Sequence, residues 1–246
     1  MRSLTGIVFM LLLAASGASA QSPAKNVDLR AVDGTLIRAT HFPAARPGPA
    51  VILLHMCNSQ RGAWDRLGAM LASRGIHAIA PDYRGYGESG GEPLQNAPRE
   101  KARQVMRELW PGDLDVVYDF LTRQPGVDRS LVGAAGGSCG GGNAIELAKR
   151  HPEISTLVLL AGGMGPGPEF LRGVPWMPVL GVAARDDGNA VGLMRQMIDT
   201  SGGSKNRFVE YQTGGHGTDL FRVYQDLEPL IADWFVQHLV TAPIRR

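Results

Sequence analysis

The sequence predicts an α/β fold, a mostly parallel β-sheet with helices on both faces. Three observations carry this. Runs such as AVILLH at 50–55 and TLVLLA at 156–161 are continuously apolar, as strands buried on both faces must be. Helical patterns separate these runs, so successive strands need crossover connections, which are right-handed and make the strands parallel. Glycine supplies 32 of 246 residues without a Gly-X-Y period, which assigns it to tight turns and close backbone approach.

The elements follow in chain order. Residues 27–32 and 36–41 flank Asp33-Gly34, a hairpin signal. Residues 50–55 predict the third strand. Residues 63–73 have helical spacing, and Arg74-Gly75 stops it. Residues 76–80 form the fourth strand. The amphipathic stretch 100–123 is expected to be two helices, broken at Pro111-Gly112. A strand at 130–135 precedes a helix at 143–150 that ends before His151-Pro152. Strands at 156–161, 179–184 and 207–212 bring the total to eight. A helix near 190–200 and one long closing helix over 218–239 complete the pattern, and Gly/Pro-rich 162–168 reads as a loop.

Residues 1–20 read as an export signal: Arg2, an apolar stretch at 7–15, and Ala18-Ser19-Ala20 as the cleavage site. The apolar stretch falls short of the ~20 residues of a spanning helix. The expected organisation is a signal peptide at 1–20 and one domain at 21–246, periplasmic or secreted, with no membrane association after cleavage. A net charge of +2 with scattered basic residues offers no stripe for nucleic acid. Two cysteines exclude a disulfide-rich scaffold and a four-cysteine zinc fold, and no His/Asp cluster has metal-ligand spacing. The glycine-rich turn lacks both G-K-[ST] and G-x-G-x-x-G, so no nucleotide or other cofactor is expected. The oligomeric state is left open.

The chemistry concentrates in 131–142, LVGAAGGSCGGG, between a predicted strand and a predicted helix. It contains G-x-S-x-G centred on Ser138. A nucleophile on a sharp strand-to-helix turn needs small residues two positions to either side, and its oxygen then stands at a helix N-terminus that favours a developing oxyanion. A second register, G-x-C-x-G, would make Cys139 the nucleophile. Ser138 is preferred because Gly133, Gly136, Gly140 and Gly141 then fall where such turns carry glycine. A serine needs a base. Of six histidines, His216 stands apart in Thr213-Gly214-Gly215-His216-Gly217, directly after the last strand. The base needs a carboxylate, and Asp186 and Asp187 both follow the strand at 179–184; the other would serve a turn or helix cap. Two backbone amides should hold the oxyanion: Cys139 and, after the strand ending at His55, Met56 or Cys57, with Cys57 preferred.

Taken together, these segments resemble an α/β-hydrolase. LLHMCNSQRGAW at 53–64 resembles the family's oxyanion loop, with Met56 where glycine is usual. APDYRGYGESGG at 80–91 resembles its D-x-R-G-x-G-x-S segment. VGAAGGSCGG matches the nucleophile elbow and TGGHG the histidine loop. PVLGVAARDD resembles the acid segment and aligns Asp187 with the acid, which selects it over Asp186. The resemblance implies a serine hydrolase of the dienelactone-hydrolase-like or esterase-like branch, with catalytic Ser138, Asp187 and His216. Only 162–177 separate two strands where the family often inserts a cap. The site is therefore expected to be open, or covered by a short loop carrying Phe170 and Trp176. Met56 and Trp176 are the expected substrate contacts, and a small-molecule ester or acyl compound the expected substrate. Peptide or thioester cleavage would use the same residues, and a catalytically silent binding protein is the reading from another class.

Cys57 and Cys139, the only cysteines, fall at the two expected oxyanion positions. Backbones that converge on one oxygen bring Cα atoms within disulfide range. A Cys57–Cys139 bond is the expectation, contributing about 4 kcal/mol in the chain-entropy model; two buried thiols are the alternative.

Overall fold

The computed structural model describes residues 23–162 and 167–241; the expected export signal at 1–20 lies outside them. The strands are β1 (Lys25–Arg30), β2 (Leu36–Phe42), β3 (Gly48–Leu54), β4 (His77–Pro81), β5 (Val127–Gly137), β6 (Ile154–Leu160), β7 (Val179–Ala184) and β8 (Arg207–Tyr211). They form one sheet in the order β1-β2-β4-β3-β5-β6-β7-β8. The β1–β2 hairpin turns at Asp33-Gly34, where Gly34 has φ 83°, and β2 runs antiparallel to β4. The remaining pairs are parallel.

The helices are α1 (Asp65–Ser73), α2 (Arg99–Glu108), α3 (Trp110–Thr122), α4 (Cys139–Arg150), α5 (Gly167–Gly173), α6 (Ala190–Ser201), α7 (Leu220–Val223) and α8 (Leu227–Phe235). The pleat sends alternate residues to opposite faces. Val51, Leu53, Val158 and Leu160 pack with Leu67 and Leu71 of α1 and Ile231 and Phe235 of α8. Ile52, Leu54, Leu157 and Leu159 pack with Leu114 and Val117 of α3, Leu147 of α4 and Met197 of α6. Both faces are thus buried, which is why the strands read as unbroken apolar runs. Each fully buried Leu or Ile contributes about 1.5–3 kcal/mol.

Two helical expectations are corrected. The break in the 100–123 stretch falls at Leu109, and Pro111 sits in the first turn of α3, where its missing N–H costs nothing. The expected single closing helix is broken. A short 3₁₀ turn (Gly217–Asp219) leads into α7, Tyr224 adopts an extended conformation, and α8 starts anew at Leu227 with Pro229 in its first turn. The Tyr224 ring packs on Tyr211 of β8 at 3.9 Å. The 162–168 loop expectation is also modified at its end, since Gly167 opens α5.

Strand order decides where a site can form. Connections leave β3 toward β4 on one side and β5 toward β6 on the other. The C-terminal ends of β3 and β5 therefore border the crevice of an open α/β sheet.

Buried histidines make the fold acid-sensitive. Burial pushes His41 and His55 down to about 4. Between roughly pH 6.5 and 4 the unfolded chain binds protons that the folded chain refuses, so stability falls as pH falls, by up to about 1.4 kcal/mol per pH unit for each histidine. Thermal melts should show a net fall in transition temperature between pH 7 and pH 5, the histidines outweighing the opposite contribution of Asp65, Asp113 and Glu228, whose carboxyls burial pushes up. An unchanged transition temperature there would overturn the reading.

Candidate active site

β5 passes into α4 through one residue, Ser138. Its φ of 53° and ψ of −121° are a strained conformation for a residue with a Cβ. Neighbouring glycines make the turn possible. A Cβ on Gly136 would overlap the Gly140 carbonyl, and one on Gly140 the Leu54 carbonyl at the end of β3. Ala161 at the end of β6 is the other non-glycine residue with positive φ among those described, at 49°. The Ser138 amide donates to Leu160 O at 2.9 Å, which fixes the turn against β6.

The loops after β7 and β8 meet over the same sheet edge. Asp187 Oδ2 lies 2.6 Å from His216 Nδ1. A carboxylate there accepts from Nδ1–H, so the neutral imidazole has its lone pair on Nε2. Asp186 turns the other way. Its carboxylate accepts the amides of Gly214 at 2.9 Å and Gly215 at 3.1 Å, and so holds the histidine loop. Gly214, Gly215 and Gly217 all have positive φ, which lets the chain double back around His216. A Cβ on Gly217 would sit 3.6 Å from Ser138 N and 3.1 Å from Met56 Sδ, so the residue after His216 rests on the elbow. No hydrogen bond joins His216 to Ser138 in this arrangement; such contacts often tighten only around substrate. The His216 side chain is 41% exposed and that of Asp187 20%, so the site is open to solvent.

The segment after β3 supplies the third wall. Cys57 is joined to Cys139 by a disulfide, with Cα atoms 5.8 Å apart, as the oxyanion positions led us to expect. Met56 is buried and lines a cavity of about 340 Å³ with Asn58, Ser59, Thr218, Phe221 and Arg222. Fully buried His55 fixes this segment: its Nδ1–H donates to Met56 O at 2.8 Å and its Nε2 accepts the Tyr83 amide at 3.1 Å. The same bonds require neutral imidazole. Sequence reasoning did not single out His55, although its place in LLHMC was the available signal. Buried Asp82 accepts the Arg61 amide at 2.7 Å, the Glu88 amide at 3.0 Å and the Arg61 guanidinium, tying the segments after β3 and β4 together.

The structure brings Ser138, Asp187, His216, Met56, Cys57 and Cys139 together. It does not bring Trp176 to them. Trp176 lies just before β7, at the N-terminal sheet edge opposite the elbow, where Pro175 O approaches Gly203 of the α6–β8 connection. Phe170 sits on α5, packed partly into the core. The expectation of Trp176 as a substrate contact is therefore corrected: a parallel strand begins at the edge away from the site, and so does the residue before it. Among the described residues, no group of three or more His, Cys, Asp or Glu is placed to hold a metal.

The family model described as serine aminopeptidase, S33, matches residues 45–216. A thiohydrolase of Aspergillus aculeatus, aneE, is 31% identical over 123 residues, which are 50% of this chain and 36% of that protein. The chain spans 36% to 54% of the length of the first curated relatives it matches. Among solved structures, dienelactone hydrolase from Anabaena variabilis superposes with a TM-score of 0.65 at 18% identity, covering 89% of this chain and 100% of that one. The esterase EaEST from Exiguobacterium antarcticum superposes with a TM-score of 0.62 at 17% identity, covering 86% and 99%. At these identities the likeness is one of fold.

Proposed function

We propose a serine-hydrolase mechanism for this chain, which belongs to the serine aminopeptidase S33 family of α/β hydrolases. Ser138 Oγ attacks the carbonyl of a small carboxylic ester while His216 Nε2 takes its proton. Asp187 holds the imidazole in the required tautomer and stabilises the imidazolium. The amides of Cys139 and Cys57 receive the oxyanion, the first at the N-terminus of α4. The tetrahedral adduct collapses, the alcohol leaves with the proton from His216, and an acyl group remains on Ser138. Water, deprotonated by His216, then releases the acid. The observation that carries this reading is the 2.6 Å contact between Asp187 and His216 Nδ1, on a loop whose next residue rests on the strained Ser138 turn.

Met56, whose sulfur lies near Gly217, also lines the 340 Å³ cavity, which we assign to the substrate. The thiohydrolase likeness favours including thioesters, since the same adduct forms from them. We also assign residues 1–20 as an export signal and the domain to the periplasm or exterior; the Cys57–Cys139 bond supports an oxidising compartment.

Labelling with a fluorophosphonate probe tests the mechanism. Label is expected on Ser138 by peptide mass spectrometry and is expected to vanish in His216→Ala. A folded protein that takes no label would end the serine-hydrolase reading. A panel of p-nitrophenyl esters, acyl thioesters and aminoacyl anilides then assigns the bond: a higher kcat/KM for either of the latter two would replace carboxylic esters as the substrate class.

A further inference from the structure

The disulfide binds the two residues that this mechanism uses as oxyanion donors, and the following rests on that mechanism. β3 and β5 are already held in parallel register from Ala50 paired with Val132 to Leu54 paired with Gly136. The sheet gains little further order from a covalent link at its edge. The segment beyond β3 is different. Its fixings are the His55 ring on Met56 O, the Ser59 amide on Met56 O, and the Arg61–Asp82 contacts that begin at its far end. The amides of Met56 and Cys57 have no acceptor among the described residues. Beyond His55, where the Gly140 backbone packs against the Leu54 and His55 carbonyls, the direct tie between the Cys57 and Cys139 backbones is the Sγ–Sγ bond. Both cysteines are partly exposed and pack against the edge of the core, while Gly136, Gly137 and Gly140 beside them are buried.

We propose that the Cys57–Cys139 disulfide is a redox control on catalysis. Closed, it sets the two oxyanion donors at one spacing; opened, it frees the segment after β3 and lowers kcat while the sheet stays folded. The opening step is thiol–disulfide exchange with a dithiol. A reductant thiolate bonds to Cys57 Sγ, the Sγ–Sγ bond breaks, and Cys139 leaves as thiolate. Cys139 opens the twelve-residue helix α4, whose N-terminus stabilises that anion and makes it the better leaving group. The second thiol of the reductant then displaces Cys57, giving a protein dithiol and a cyclic oxidised reductant. Any disulfide oxidant reverses the sequence.

The test compares oxidised protein, protein reduced with dithiothreitol, and reoxidised protein, all well below the melting temperature of the reduced form. Expected are two new thiols, Cys139 alkylated by iodoacetamide before Cys57, and unchanged far-ultraviolet circular dichroism. The kcat on an ester and the rate of fluorophosphonate labelling at Ser138 should fall about 10–100-fold, below the ~10²–10³ of losing a donor outright, with KM nearly constant. Both should recover on reoxidation, and Cys57→Ser/Cys139→Ser should resemble the reduced form without recovery. Equal labelling rates in oxidised and reduced protein would overturn the proposal, as would a fall in kcat that tracks loss of circular dichroism. Absence of label in the oxidised protein would instead overturn the serine mechanism, so the two failures are distinct.

Discussion

Asp187→Asn is expected to lower kcat about 10⁴-fold with KM little changed, as removal of the charge does in a Ser-His-Asp triad. That is about 5 kcal/mol of transition-state stabilisation. The 2.6 Å contact with His216 Nδ1 explains the size. In the proposed mechanism, an amide in its place would neither fix the tautomer nor stabilise the imidazolium formed as Ser138 gives up its proton. Asp186→Asn makes the informative contrast. Its carboxylate accepts two amides of the histidine loop in exposed positions. Such bonds lie at the low end of the range for charged acceptors, and an Asn carbonyl retains part of them, so a loss of about tenfold is expected. Steady-state kinetics of both variants on one ester decide the matter. A larger loss in Asp186→Asn than in Asp187→Asn would show that the acid has been assigned to the wrong carboxylate.

Those two aspartates mark where the sequence stops being legible. Both follow the same strand, so their position in the chain is compatible with either role, and family resemblance had to select one. The strands were legible because burial on both faces imposes continuous apolar runs; β7 begins and ends where its run does, at Val179 and Ala184. The Ser138 elbow was legible because close packing admits only glycine at Gly136 and Gly140. The break at Tyr224 left a signal in Pro229 that amphipathic periodicity masked. Trp176 was misplaced because exposure and aromatic character say nothing about which sheet edge a residue occupies. The second role of Asp186, the clamp made by His55 and the ion network around Arg84 depend on partners distant in sequence, and no local pattern announces them.

That ion network sets the largest expected stability effect. Arg84→Ala should cost about 3–5 kcal/mol, the range for removing one member of a buried ion pair. The guanidinium donates to Asp113 Oδ2 from Nε at 2.9 Å and to Oδ1 at 2.7 Å, and it also reaches Asp33 and Thr35 in the β1–β2 turn. The side chains of Arg84 and Asp113 are 9% and 5% exposed, so the truncation strands a carboxylate away from water. The exposed Arg123–Asp119 pair is the control: breaking it should cost under about 1 kcal/mol, since solvent replaces what is lost. Arg84→Lys keeps the charge but cannot span two carboxylates with one ammonium, and should fall between these limits, at about 2 kcal/mol. Urea unfolding of the three variants at pH 7.5 orders them. Arg84→Ala within about 1 kcal/mol of the parent would mean that the network contributes no more than a surface pair. The consequence reaches the site, because Tyr83, the residue before Arg84, donates its amide to His55. A displaced 82–92 segment loosens the ring that holds Met56 O, so Arg84→Ala should lower kcat even at temperatures where the protein is fully folded.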